Sequence, residues 1–148
     1  KRMILMDLAE LRRRVPALLV ELGEDAGSVS LGDDAWVLHR GSTMGYVAIL
    51  GAGSAEADPV LQVKFRLLRA PKEGGEELFR TLLGLNHDMA DVAAFSIDNQ
   101  DIVWLGAGRF VEDLTESELR EVIGQTAQLA DRYDNRLIDL FGRDLSLE

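Results

Sequence analysis

Apolar residues recur at helical spacing between Asp7 and Gly23. Leu8, Leu11, Val15, Leu18, Leu19 and Leu22 make one stripe, with Glu and Arg on the other side. Pro16 lies inside it. Proline removes a backbone donor and clashes with the preceding turn, so a kink or a restart is expected there, with Gly23 as the stop. A polar stretch from Gly27 to Asp34 leads into three strand-like runs, Ala35–Arg40, Gly45–Leu50 and Val60–Leu68. Gly41-Ser42-Thr43 turns between the first two, and Gly51–Pro59 is a longer loop. In the third run Leu61, Val63, Phe65 and Leu67 alternate with Gln62, Lys64 and Arg66, the period of a sheet with one wet face.

Pro71 to Gly75 breaks the pattern, and Glu76–Leu85 reads as a helix with Leu78, Leu82 and Leu85 on one face and Phe79 and Leu83 beside it. Strands are predicted at Val92–Ile97 and Ile102–Val111, joined by a turn at Asp98-Asn99-Gln100-Asp101. Thr115, with Glu118 three residues on, makes a capping-box pattern for a last helix. Its stripe runs from Leu119 through Val122, Ile123, Leu129 and Tyr133 to Leu137 and Phe141, and Gly142 stops it. The order α-β-β-β-α-β-β-α, with short turns inside each strand group, implies the α+β class. The expected architecture is a five-stranded, mostly antiparallel sheet with helices packed against it, as one domain over residues 1–148.

Composition narrows the function. A chain of 148 residues with 47% hydrophobic and 28% charged residues suits an ordinary soluble core rather than disorder. Its 16 Lys and Arg against 26 Asp and Glu leave a net charge of −10, which repels phosphate backbones and anionic lipid, so nucleic acid and membrane are not expected partners. The run Arg12-Arg13-Arg14 sits near Glu10 and Glu21 and reads as the solvated face of a helix. With 0 cysteines there is no disulfide framework, thiolate nucleophile or Cys-ligated zinc. No apolar run is long enough to span a bilayer, and no signal-peptide pattern opens the chain, so a cytoplasmic location is the expectation.

The second half of the chain carries a set of features with a recognisable spacing. They are Leu82-Leu83-Gly84-Leu85-Asn86, Phe95-Ser96-Ile97-Asp98, Val103-Trp104-Leu105, and Glu112-Asp113-Leu114-Thr115 followed by Leu119 and its helix. This set resembles the fold shared by type III secretion chaperones and the YbjN-type bacterial family described as sensory-transduction regulators. The match covers the last 75 or so residues by motif and the first half by element order. The resemblance implies a monomeric or homodimeric helper domain without a cofactor, holding a client through apolar patches on the sheet and first helix. The Gly51–Pro59 loop and Pro16 depart from the chaperone pattern at the client-binding surface.

Candidate chemistry is sparse. Gly51-Ala52-Gly53-Ser54 and Gly106-Ala107-Gly108 lack the Lys-Ser/Thr and following helix of a phosphate loop. The first runs through Glu56 and Asp58 into a strand; the second lies within one, where paired glycines mark a bulge or a close backbone approach. His87, Asp88 and Asp91 could offer ligands, but they follow a helix end in an expected loop, and a helix-end histidine favoured by the dipole is the simpler account. Asp98–Asp101 lacks the central Gly and distal Glu of a calcium loop. Asp33-Asp34 with Glu24 and Asp25 is an acidic loop in an acidic protein, and no Gly-x-Ser-x-Gly elbow is present.

The aromatic residues are more informative. Trp36, Tyr46, Phe65, Phe95, Trp104 and Phe110 all fall on predicted strands, and the neighbours of Trp36 and Trp104 are apolar on both sides. Both sheet faces are therefore expected to be partly covered, by helices or by another protein. The reading is a non-enzymatic protein-binding module, chaperone- or regulator-like and homodimeric, with no cofactor or metal and a protein client or regulatory partner. Its candidate surface residues are Val37, Tyr46, Ile49, Val63, Phe65, Trp104 and Phe110. The alternative is a small-molecule-binding domain or small enzyme, with a pocket between the sheet and the last helix where His39, Arg66 and Arg109 converge.

Overall fold

A computed structural model describes residues 6–25, 29–54, 58–90 and 92–147. Its elements are α1 (Leu8–Glu21), β1 (Ala35–Arg40), β2 (Thr43–Leu50), β3 (Val60–Arg69), α2 (Glu76–Met89), β4 (Ala94–Ile97), β5 (Ile102–Phe110) and α3 (Glu116–Phe141). Single 3-10 turns follow at Val111–Asp113 and Arg143–Leu145. The strands make one antiparallel sheet ordered β1-β2-β3-β5-β4. After β3, α2 carries the chain out to the far edge, and β5 returns to fill the place between.

The register sorts side chains into rows that alternate between the two faces. Leu38, Gly45, Phe65, Leu105 and Phe95 lie in one row, and Val37, Tyr46, Lys64, Gly106 and Ala94 in the next. The first row belongs to the face covered by helices, where Val63, Phe65, Leu61 and Leu105 are wholly buried against Leu119, Ile123, Ala130 and Leu137 of α3. The stripe of α1, Leu11, Val15, Leu18 and Leu19, closes the same core. Phe95 meets Tyr133 of α3 edge-on, with ring centroids 5.5 Å apart.

Local chemistry explains the element ends. Asp7 caps α1 by accepting from Glu10 N–H at 2.8 Å, and Thr115 caps α3 by accepting from Glu118 N–H at 3.2 Å. α1 runs through Pro16 as a single helix, so the expected restart does not occur. An interior proline costs about 3 kcal/mol, whereas each buried Leu or Val of the stripe contributes about 1.5–3 kcal/mol. α2 continues past Leu85 to Met89, placing His87 and Asp88 in its last turn rather than in a loop, since no breaker residue stands between. β4 begins at Ala94, two residues later than expected, and Val111 opens the 3-10 turn instead of ending β5. The sheet's irregularity lies in β3, between Arg66 and Leu68, and not at the glycines of β5. Gly106 is instead a close approach, because a Cβ there would stand 2.8 Å from Lys64 Cγ and 3.1 Å from Val63 O.

The arginines of α1 tie elements together. Arg12 forms a two-pronged bond with Asp34 at 2.7 and 3.2 Å, which holds that carboxyl below its usual range. Arg14 bonds Glu116 and reaches Glu21 at 3.5 Å, and Arg120 bonds Glu21 at 3.0 Å. These pairs are at least partly solvent-exposed, so they orient α1 against α3 and, through Asp34, against the start of β1 more than they stabilise the fold.

Both outer edges of the sheet are capped in part by the chain itself. On β1, Val37 N–H donates to Val29 O at 2.7 Å, Leu31 N–H donates to Ala35 O at 2.8 Å, and His39 N–H donates to the Glu24 carboxylate. On β4, the Asn86 side chain stands in for a neighbouring strand: its Oδ1 accepts from Phe95 N–H at 2.6 Å and its Nδ2 donates to Phe95 O at 3.2 Å. Exposed edges template aggregation, and these devices occupy part of each edge. Replacing Asn86 by Leu strands both Phe95 groups and is expected to destabilise the fold by about 1–3 kcal/mol in urea unfolding. A loss below about 0.5 kcal/mol would show that the cap is dispensable.

Candidate functional site: the uncovered sheet face

The second face of the sheet has no helix on it among the described residues. Its central row is Val37, Tyr46, Lys64, Gly106 and Ala94; a parallel row holds His39, Met44, Arg66, Trp104 and Ser96. At one end Leu50, Val60 and Phe110 stand side by side on three neighbouring strands. Phe110 is 59% exposed and Leu50 46%, large values for apolar side chains on strands. The C-terminal segment closes the opposite end, where Ser146 bridges to Leu68 beyond the last pair of β2 with β3.

Trp104 is fixed in place. Its Nε1 donates to Asp98 Oδ2 at 3.0 Å, while Asp98 Oδ1 accepts from the N–H groups of Gln100 and Ile102, each at 2.9 Å. Asp101, with φ of +66°, supplies the left-handed residue of this tight turn. The indole hydrogen bond, followed by the backbone ones, holds the Asp98 carboxyl below its usual range. Tyr46 packs edge-on against Trp104 at 5.7 Å between centroids, and Lys64 Nζ lies 6.0 Å from the indole centroid. Partial burial pushes the Tyr46 phenol upward. The result is a rigid aromatic platform bordered by Lys64 and Arg66, cationic groups in a chain of net charge −10.

The structure divides the predicted surface residues. Val37, Tyr46 and Trp104 are half-buried on the uncovered face and Phe110 is exposed at its end. Ile49, Val63 and Phe65 are core residues on the covered face, which corrects their expected exposure. The reason is the two-residue period: Val63 and Phe65 flank Lys64 in sequence and point to the opposite side. Met44, Leu50 and Val60 belong to the uncovered face and were missed. Strand parity relative to Tyr46 was the signal that could have found them.

A second apolar surface lies on α2 and β4. Leu83 is 69% exposed, and with Phe79, Phe95 and Ile97 it borders a cavity of about 220 Å³.

The residues proposed for an enzyme pocket do not converge. His39 and Arg66 share a row two strands apart, about 10 Å by strand spacing, and Arg109 lies on the other face. Two cavities touch both the sheet and α3: one of about 280 Å³ is lined by Val60, Gly108, Arg109, Phe110 and Glu118, and one of about 40 Å³ by residues that include Met44, Arg66 and Asp134, so no cavity among the described residues brings His39, Arg66 and Arg109 together. The Glu24 carboxylate contacts the backbone N–H of His39 and, at 3.0 Å, its ring Nδ1, while Asp34 is held by Arg12. Asp91 and Glu56 lie outside the described residues. Among the described residues no cluster of His, Asp and Glu could hold a metal, and no helix is long and apolar enough to cross a membrane.

The sequence matches the YbjN family model, "Putative bacterial sensory transduction regulator", over residues 12–139. A chain in the crystal structure of the ExsC–ExsE complex has the same fold, with a TM-score of 0.64 and 21% identity. The alignment covers 88% of this chain and 96% of that one. No curated protein sequence matches.

The Asp98 turn has a pH signature. A carboxylate whose folded pKa is depressed stabilises the fold above its unfolded pKa, and that stability is lost as pH falls through the folded value. Asp98→Ala is therefore expected to lower urea stability at neutral pH, with the deficit relative to the parent shrinking below pH of about 3.9. A deficit that stays constant through that range would rule out the carboxylate as the anchor of Trp104.

Proposed function

The chain belongs to the YbjN family, and on that footing we propose that it is a non-enzymatic protein-binding module, chaperone- or regulator-like, which acts in the cytoplasm as a homodimer. The observation that carries this reading is the uncovered sheet face, where Val37, Tyr46, Trp104 and Phe110 sit with no helix over them among the described residues. The chain caps part of its outer sheet edges with Asn86 and the residues around Ser30, which limits strand-on-strand aggregation while leaving the aromatic face available. The solved ExsC–ExsE complex, which shares this fold, contains two proteins, and that supports a protein as the partner class here. Lys64 and Arg66 favour a client segment that carries acidic groups among apolar ones. The surface of Phe79, Leu83 and Ile97 on α2 and β4 suits a second copy, being apolar, separate from the client face and flanked by both Glu77 and Arg80.

Capture from lysate of the source organism, followed by titration of the purified partner, tests the reading. Trp104→Ser with Phe110→Ser is expected to weaken the partner by at least about tenfold, or about 1.4 kcal/mol, with circular dichroism unchanged. Leu83→Glu is expected to convert a sedimenting dimer to a monomer. Equal binding by the double variant would remove the face from the account, and a parent that sediments as a monomer would remove the dimer.

A further inference from the structure

The two cations of the uncovered face are held differently. Lys64 lies on β3, the central strand of five, with Tyr46 opposite it on β2 and Gly106 opposite it on β5. It is half-buried, whereas Arg66, two residues further along the same face, is exposed. A lysine so placed loses part of its hydration, and its position needs a compensating interaction.

Gly106 makes room for it. A Cβ at that position would stand 2.8 Å from Lys64 Cγ and 3.6 Å from Lys64 Cε, so the aliphatic stem runs across β5 in space that a side chain would otherwise fill. Nζ comes to rest over the Trp104 indole, 6.0 Å from its centroid. The indole is fixed in turn by its bond to Asp98 and by the edge-on ring of Tyr46. The stem is laid over a glycine and the ammonium faces an immobile ring, so a carboxylate that meets Lys64 there orders little further.

The surroundings decide how much such a meeting contributes. Tyr46 and Trp104 flank the ammonium, and an apolar side chain laid on them excludes water from the ion pair and strengthens it. An ion pair made by the exposed Arg66 stays hydrated and screened by salt, and contributes less. The chain's net charge of −10 opposes an acidic partner at long range, so the attraction at Lys64 is local: it selects which segment seats rather than speeding encounter.

We infer that Lys64 is the specificity-determining residue of the uncovered face, that Gly106 positions it, and that the partner segment it selects carries an Asp or Glu side chain next to an apolar one. This rests on the protein-binding reading and names what that face recognises.

The probes are the peptide acetyl-Leu-Asp-Leu-amide and its counterparts with Asn or Lys in place of Asp, titrated while the Trp104 indole N–H and Lys64 ε-methylene signals are followed by nuclear magnetic resonance. The parent is expected to bind the Asp peptide at least about fivefold more tightly than the Asn peptide. Lys64→Met keeps the stem without the charge and abolishes the preference, and Lys64→Glu transfers it to the Lys peptide. Gly106→Ala keeps the charge but displaces the stem, so the ring-current shift of the ε-methylene and the preference fall together. Arg66→Met retains both. Circular dichroism checks the fold of each variant; if Gly106→Ala unfolds, the two Lys64 variants decide. Equal binding of the Asp and Asn peptides by the parent, a preference that survives Lys64→Met, one that is lost in Arg66→Met, or binding of neither peptide overturns the inference. The protein-binding reading is judged separately, by titration of the captured partner against the Trp104 and Phe110 variants.

Discussion

The packing of α3 across one face of the sheet is the constraint on which the rest depends. Leu119, Ile123, Ala130 and Leu137 bury the inward row of every central strand, and α1 completes the cover with Leu11, Val15, Leu18 and Leu19. That arrangement uses the apolar stripes of both helices on the same side. The other face is left with residues of the opposite parity, and among the described residues no helix covers its aromatic groups, of which Tyr46 and Trp104 pack on each other. One-sided cover is ordinary for an antiparallel sheet whose second face is polar. Here that face carries Val37, Tyr46, Met44, Trp104 and Phe110, and the proposed protein partner would cover them.

Rigidity at that face comes from its margins. The Asp98 turn accepts from two backbone N–H groups and from the Trp104 indole, so the platform is set by the hairpin rather than by a helix behind it. Asn86 ties α2 to Phe95 and keeps β4 in register at the far edge. A surface organised before binding loses less entropy when a partner arrives.

Much of this was legible in the sequence, and the reasons differ by element. The alternation from Leu61 to Arg66 fixes β3, and Thr115 with Glu118 fixes the start of α3, because each pattern has a local physical cause. The faces were harder. Ile49, Val63 and Phe65 look as suitable for a surface as Tyr46 and Trp104, and only the register, which links strands far apart in sequence, assigns them to the core. Pro16 misled because its local cost is known while the packing that outweighs it is not visible in the chain. Asn86 was noticed as part of a family resemblance, but its role as a side-chain cap on Phe95 needed the structure.

The central claim is that the aromatic face is open in the free chain and covered when its partner is bound. Hydroxyl-radical footprinting of the free protein and of the complex captured from lysate tests this most directly, because it reads individual side chains without mutating them. The account predicts that Tyr46, Trp104 and Phe110 are labelled in the free chain and protected in the complex, while Phe65 stays unlabelled in both. Labelling of Trp104 and Phe110 that is the same in both states, with protection elsewhere, would contradict it.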